Sequence, residues 1–379
     1  MRVAQALPQS LPGRSQLGAG DLPPVLSHFP RVVREDLPEI AQALAGHVAA
    51  LSGRRVLITG ATGMLAGYLV DTLAYLNDCG ALASPCHLTL LARSPERARQ
   101  RLGHLQGRAD VEFVFQDVRA PLPEALTADF LIHAAAPATP KDFLGDPLGS
   151  LDANTQALRN LLERARAASP ASILYMSSSE VYGTPDPEAI PTPETYVGRV
   201  DPLSRRAYYA EAKRAGETYC RAYHEVHGLP IKIARPFHVH GPGMRLDEGR
   251  AVPTLLAMGL SGERLALESD GRATRTYGYV SDGTVALLRL LLSEHQGEAF
   301  NVGSDRPEIS MLELAQHISE LFGRAEPVLI NRSPSNKAGQ GAPARACPDL
   351  SKLRAAFAFE PRVGLREGLA RIIRWFQPS

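Results

Sequence analysis

From residue 54 onward, short apolar runs alternate with longer stretches whose apolar positions recur at helical spacing. RVLIT (55–59), HLTLLA (87–92), VEFVF (111–115), DFLIH (129–133), SILYM (172–176) and IKIAR (231–235) have the length and continuity of buried strands. Helical stretches at about 64–78, 95–105, 147–168 and 205–227 separate most of them. This alternation predicts an α/β fold built on a doubly wound parallel sheet. A further helical pattern over 35–51 precedes the first strand, and its apolar side must cover either the sheet edge or a partner subunit. Residues 1–30, rich in Pro, Gly and Ser, read as a mobile segment. Beyond 236 the texture is less regular, with GPG at 241–243 and short helices near 252–260, 282–293, 311–322 and 365–376. Residues 331–348 read as a long loop, and loops of that length often carry function.

Composition narrows the classes of function. The chain has 379 residues, enough for one large domain or two ordinary ones. Its 41 basic and 40 acidic residues leave a net charge of +1, which argues against nucleic acid as a partner. Hydrophobic content of 44% with 21% charged residues fits a globular protein and excludes a long disordered chain. Cys79, Cys86, Cys220 and Cys347 have no metal-ligand spacing, so no metal is expected and they read as free thiols of a reducing cytoplasm. No run approaches the ~20 apolar residues of a membrane helix, and the N-terminus lacks the apolar core of a secretory signal. Only five of the basic residues are Lys, so each Lys is informative.

The strongest local motif is RVLITGATGMLAGYLV, a strand running through glycines into a helix. Gly60 permits the tight turn. Gly63 lets the backbone approach a pyrophosphate at the helix N-terminus, where free N–H groups favour an anion. Gly60, Thr62, Gly63, Met64 and Leu65 are the expected cofactor contacts of a Rossmann-type turn, and the small Ala66 and Gly67 let the helix pack closely on the strand. Where an NAD site usually carries an acid, at the end of the second strand, this chain has Ala92-Arg93-Ser94. Arg93 either faces a 2′-phosphate, favouring NADP, or stacks over adenine. Asp117, with Val118 beside it, follows the third strand and is placed to meet the adenine amino group.

Eleven Tyr and five Lys predict about 0.15 chance Tyr-x-x-x-Lys matches, and there is one, Tyr209-Ala-Glu-Ala-Lys213. On a helix these two share a face. A nearby ammonium favours phenolate, so the pair can take a proton from a substrate hydroxyl. Lys213 can also hold the nicotinamide ribose. Upstream, SILYM delivers Ser177-Ser178-Ser179-Glu180 to the carboxyl end of a parallel strand, which faces the ligand crevice. A serine hydroxyl there can bond the reacting oxygen, and Glu180 can act as acid or base.

TGATGMLAGYLVDTL, HAAAPATP (133–140), NTQALRNLLERA (154–165), MSSSEVYG, YYAEAKRAGE (208–217), RPFHVHGPGM (235–244), RATRTYGYVSD (272–282), AFNVGS (299–304) and EGLARIIRWF follow one another in order. Together they resemble the extended short-chain dehydrogenase/reductases, specifically the NAD-dependent epimerase/dehydratase family of nucleotide-sugar enzymes. The resemblance implies a catalytic Ser178–Tyr209–Lys213 set with Glu180 beside it. It implies a cofactor, NAD or NADP, tightly bound, lined by Ala134, Ala135, Ala136, Pro236 and His238, and recycled if it reduces the ketone again. It also implies an N-terminal extension with one helix (1–50), a cofactor domain (51–235) and a smaller, mainly substrate-binding lobe (236–379), some of whose segments return to the cofactor domain. A cytoplasmic homodimer acting on a nucleotide sugar, with no membrane partner, is expected.

The branch is read from smaller differences. Dehydratases of this family follow the catalytic hydroxyl with Asp-Glu, where this chain has Ser179-Glu180. Ser-Glu before Val-Tyr-Gly, GRVDPLSRRAYYAEAKR and EGRAVP resemble UDP-glucuronate decarboxylases. Arg275 resembles the arginine that grips the substrate diphosphate, and Arg250 and Arg345 are further candidates. Arg suits phosphate because its planar fork can bind two oxygens. Arg206 is either a partner for the sugar carboxylate or a charge at a helix start. Ser178, Ser179 and His238 complete the expected substrate contacts. The family usually has Asn where His238 stands. The alternatives are a 4-epimerase or a 4,6-dehydratase, then a ketoreductase or a non-catalytic cofactor sensor.

Overall fold

The computed structural model describes residues 24–331 and 343–377. The reading of residues 1–30 as mobile therefore lies largely outside the described residues, as does most of the expected loop 331–348. Seven parallel strands form the central sheet. Six are β1 (Arg55–Thr59), β2 (His87–Ala92), β3 (Val111–Phe115), β4 (Phe130–His133), β5 (Ser172–Met176) and β6 (Ile231–Pro236). The spatial order is β3-β2-β1-β4-β5-β6, with the strand Glu298–Val302 added beside β6. The sequence reading did not assign that seventh strand, because EAFNV is too short and too weakly alternating to stand out.

Helices cover both faces. They are α1 (Arg31–Ala43), α2 (Met64–Asp78), α3 (Pro95–Leu102), α4 (Pro140–Gly145), α5 (Pro147–Asn154), α6 (Gln156–Ala168), α7 (Ala207–His227), α8 (Ala251–Ser261), α9 (Val280–Leu291), α10 (Met311–Leu321), α11 (Ser351–Phe357) and α12 (Leu365–Phe376). The helix expected over 147–168 is two. Thr155 Oγ1 donates to Leu151 O at 2.8 Å and Asn154 Nδ2 to Ser150 O at 2.8 Å. Such back-bonding to carbonyls four residues earlier bends a helix, and the axis breaks between α5 and α6.

The first helix also differs from expectation. It starts earlier, after Pro30, and ends at Ala43; the apolar residues beyond it form a separate 3₁₀ turn, Ala49–Leu51. Its apolar side covers neither the sheet edge nor a partner. It packs on α2, α9 and α12. The reason is that α2 is buried almost all round, from Ala66 to Leu76, so its outer face needs a third layer. At that junction Asp36 is fully buried. It accepts from Tyr68 Oη (2.9 Å) and Tyr279 Oη (2.8 Å) and pairs with Arg371 of α12. A separate core, built on α8, α10 and α12 with Met244 and Tyr277, supports the C-terminal lobe. Among the described residues no helix is long and apolar enough to cross a membrane, and no cluster of His, Cys, Asp or Glu is placed to hold a metal.

Candidate active site

In an open α/β sheet the crevice lies beyond the carboxyl ends of the strands, where the winding reverses. Here that point is between β1 and β4. A cavity of about 1390 Å³ starts there and runs into the C-terminal lobe.

The glycine turn forms one wall. Gly60 sits at φ +68, and a Cβ there would lie 2.7 Å from the Ala135 backbone. A larger residue would therefore push the Ala134–Ala136 segment away from the turn. Gly63 caps α2 without any side-chain hydrogen bond, which leaves the first-turn N–H groups to an anion. Thr62, Met64 and Leu65 line the same wall. An uncapped helix start behind a glycine turn, in a cavity this long, fits a dinucleotide. Gly67 corrects one expectation. Its missing Cβ makes room for the Arg101 guanidinium, 2.8 Å from where that atom would be, and not for the strand. Arg101 in turn bonds the buried Asp71 at 2.8 Å.

At the far end of the sheet, Arg93, Asp117 and Val118 line the cavity. Asp117 accepts from Arg119 Nε (3.0 Å) and Nη2 (2.8 Å), which holds its carboxyl below the usual range. An adenine amino group placed there would share a carboxylate already engaged.

Ser178, Tyr209 and Lys213 meet at the centre of the cavity. Tyr209 and Lys213 are one helical turn apart on α7, both buried. The Tyr209 ring stacks on Phe143 of α4, with centroids 5.3 Å apart and planes at 9°. Lys213 Nζ donates to Met176 O at 2.5 Å and stands 4.9 Å above the Tyr175 ring. Burial pushes the Tyr209 phenol up to about 12, opposed by a hydrogen bond with Ser178 and by the Arg250 charge. Burial likewise brings the Lys213 ammonium down to about 7. The simple expectation that the ammonium lowers the phenol is thus overridden by desolvation.

Glu180 and Arg206 line the cavity as a pair. Arg206 Nε donates to Glu180 Oε2 at 3.2 Å, and its Nη2 bonds Oε1. Arg206 also immediately precedes α7, so the reading of it as a charge at a helix start holds. Ser179, Pro236, His238, Arg250 and Arg275 face the same space. Arg250 is paired with Glu248. Arg275 is buried and donates to Thr274 O (2.6 Å), Pro343 O (2.5 Å) and Ala344 O (3.2 Å). Those carbonyls aim its fork while leaving a cationic wall. His238 takes φ +34, packs edge-on to Tyr277 at 6.0 Å, and leaves Nδ1 without a partner among the described residues. Burial and the charges of Arg275, Arg250 and Arg206 bring its imidazole down to about 3, so it is neutral.

Arg345 does not join them. Its neighbours Ala344 and Ala346 line the cavity, but its guanidinium turns to Glu308, at 2.7 and 2.8 Å. Alternation along the short strand Arg345–Ala346 sends the two side chains to opposite sides.

The sequence reading missed the supports. Ser177 Oγ donates to Glu217 Oε1 at 2.5 Å, and Arg235 clamps Glu217 through two bonds of 2.8 and 2.6 Å. Arg235 also donates to Tyr182 Oη (2.8 Å), which donates to Asn301 Oδ1 (2.7 Å). This network pins the loop that carries Ser178. Its signal was present, since Glu217 stands four residues after Lys213 on α7.

Comparison with known proteins agrees with this geometry. The model of the family described as "NAD dependent epimerase/dehydratase family" matches residues 56–303. UDP-glucuronic acid decarboxylase 5 of Arabidopsis thaliana is 34% identical over 319 residues, 84% of this chain and 88% of the relative. UDP-glucuronic acid decarboxylase 3 of the same plant is 35% identical over 316 residues, 83% and 86% of the two chains. A UDP-glucuronic acid 4-epimerase from Bacillus cereus, solved with UDP-glucuronic acid and NAD, superposes with a TM-score of 0.70 at 25% identity, covering 85% of this chain and 98% of that one. On the family match and the extent of these relatives, the chain belongs to the NAD-dependent epimerase/dehydratase family.

Proposed function

We propose that this chain oxidises the C4 hydroxyl of UDP-glucuronic acid and releases the C5 carboxylate as CO₂. The observation that carries the reading is one cavity in which Ser178, Tyr209 and Lys213 stand beside Arg206, Arg250 and Arg275. A proton-transfer set thus shares its space with cations suited to a diphosphate and a carboxylate. The curated relatives support the choice of sugar.

The roles follow from placement. The turn Gly60–Leu65 and the segment Ala134–Ala136 would hold the dinucleotide, with Lys213, Pro236 and His238 at its nicotinamide end. When bound, the cofactor supplies a two-electron sink for the C4 hydride. Tyr209 takes the C4 hydroxyl proton as phenolate, its own proton having passed to the uncharged form of Lys213 that burial favours, and Ser178 Oγ orients that oxygen. Arg275 and Arg250 grip the diphosphate. Arg206 receives the sugar carboxylate, which exchanges for Glu180 in its ion pair. Once C4 is a ketone, the carboxylate is β to a carbonyl. The C–C bond electrons move onto the ketone oxygen as CO₂ leaves, and the Tyr209 and Ser178 hydroxyls donate hydrogen bonds to that oxygen. C5 then takes a proton from solvent, which Glu180, released from Arg206, is placed to relay.

Residues 51–235 would serve mainly the cofactor and 236–379 mainly the sugar nucleotide. The four cysteines form no disulfide, which supports a reducing, cytoplasmic setting. Exposed Leu148 on α5 and Val226 on α7 support pairing of two copies, which light scattering would test. The deciding experiment for the reaction is mass spectrometry of UDP-glucuronic acid incubated with the purified protein. Loss of CO₂ from the sugar nucleotide is expected. An unchanged mass with altered stereochemistry would replace this reading with a 4-epimerase, and loss of water with a dehydratase.

A further inference from the structure

The family match begins at residue 56, so α1 lies ahead of it, yet α1 supplies the acceptor on which three buried donors converge. Asp36 Oδ2 accepts from Tyr68 Oη at 2.9 Å and from Tyr279 Oη at 2.8 Å, and Oδ1 is paired with Arg371 Nη1. All four residues are fully buried. Tyr68 is on α2, four residues after Met64, so it stands one helical turn behind the uncapped start that faces the cavity. Tyr279 ends a two-residue strand, Gly278–Tyr279, that pairs in parallel with Val239–His240. Val239 and His240 line the cavity, as do His238 before them and Tyr277 ahead of Gly278. The His240 ring stands edge-on to both Tyr277 (6.1 Å) and Tyr279 (5.8 Å). This strand pair has no slack. A Cβ on Gly368 of α12 would lie 2.7 Å from His240 Nε2 and 2.8 Å from Tyr279 Cδ2. In packing this dense, a displaced Tyr279 carries His240 with it.

One carboxylate outside the cavity therefore joins the helix that carries the glycine turn to the strands that wall the sugar side. We propose that Asp36 is a positioning residue for the oxidation: it fixes the glycine turn and the sugar-side wall relative to each other, so that the C4 hydrogen meets the hydride acceptor. The proposal rests on the reading of the cavity as a C4-oxidising site and adds what sets its two halves in register. A buried tyrosine hydroxyl on a carboxylate is a directional tie, and cutting it frees the helix or the strand that it held. Each half-site keeps its own residues, so each ligand still binds. Only their mutual placement changes, and a misplacement of about 1 Å at reacting atoms costs about 10²-fold in rate.

The test uses Tyr68→Phe, Tyr279→Phe and the double variant, each of which keeps the ring and removes only a hydroxyl. Calorimetric titration of the full chain, stripped of nucleotide, gives the affinity for NAD⁺ and for UDP-glucuronic acid separately. Single-turnover absorbance at the nicotinamide band, with both ligands saturating, gives the rate of hydride transfer. Both affinities are expected to stay within about 3-fold of the natural chain while the rate falls about 10-fold. The two ties act in series through Asp36, so severing either breaks the same bridge. The double variant should therefore lose about 10-fold as well, and not the product of the two single losses. Unchanged rates in the folded single variants would overturn the proposal and leave Asp36 a stabiliser of the fold. Losses that multiply in the double variant would overturn it by showing two independent tyrosines. A loss accounted for by weaker binding of one ligand would overturn it in favour of damage to that half-site. A natural chain that binds both ligands but transfers no hydride would overturn the proposed function and this role with it.

Discussion

Lys213 offers a sharp test, because its burial should cost stability in a pH-dependent way. Its ammonium falls from the ordinary 10.5 to about 7 in the folded chain. Below pH 7 the residue is charged in both the folded and unfolded states, and the whole cost of burying the charge is felt. As pH rises from 7 towards 10.5 the folded state sheds the proton first, and the cost fades. Linkage puts the cost at about 4 kcal/mol at pH 7 and about 2 kcal/mol at pH 9. Lys213→Met removes this cost and leaves Met176 O without its donor, a loss of about 1 kcal/mol that does not depend on pH. The variant should therefore be inactive yet more stable, by about 3 kcal/mol at pH 7 and about 1 kcal/mol at pH 9. Urea unfolding of both proteins at the two pH values, without added dinucleotide, measures the difference. A stability gap that stays constant between pH 7 and pH 9 would refute the reasoning, since it would mean that Lys213 keeps its ordinary affinity for a proton when buried.

Two further outcomes follow from the same coordinates. Tyr209→Phe keeps the ring stacked on Phe143 and removes only the hydroxyl, so kcat for CO₂ release should fall about 10²- to 10⁴-fold with dinucleotide binding retained; a smaller fall would assign the proton transfer to another group. Arg371→Met strands Asp36, whose carboxyl burial has already raised from 3.8 to about 6. With a raised folded-state value, the carboxyl favours folding at low pH, and its contribution is lost as pH rises through 6. The variant should lose about 3–5 kcal/mol at pH 8 and clearly less at pH 5, read by thermal or urea unfolding; an equal loss at both would show that Asp36 stays ionised throughout.

How much of the site was legible depended on how local each feature is. The glycine turn, the Tyr209/Lys213 pair and the serine run are each contained within a few residues, and each lines the cavity where the strand and helix pattern put it. The arginines were not separable from sequence. Arg250, Arg275 and Arg345 carry the same side chain on irregular segments, and only the fold turns two of them inward and the third to Glu308. Arg206 and Glu180 are 26 residues apart, so their ion pair is a product of where α7 meets the end of β5. Gly67 was legible as a close contact but not as to its neighbour, because Arg101 arrives from α3.

By itself, the sequence determined the alternation of strand and helix, the phosphate-binding turn, the spacing of phenol and ammonium on one helical face, and the family. These are properties of backbone periodicity and of residues one turn apart, which any stretch carries with it. The tertiary structure alone decided the seventh strand, the third layer in which α1 covers α2, the direction of each arginine, and the proton affinities of Tyr209, Lys213 and His238. Those depend on what is excluded from contact with water, and burial is set by segments distant in the chain that meet only when it folds.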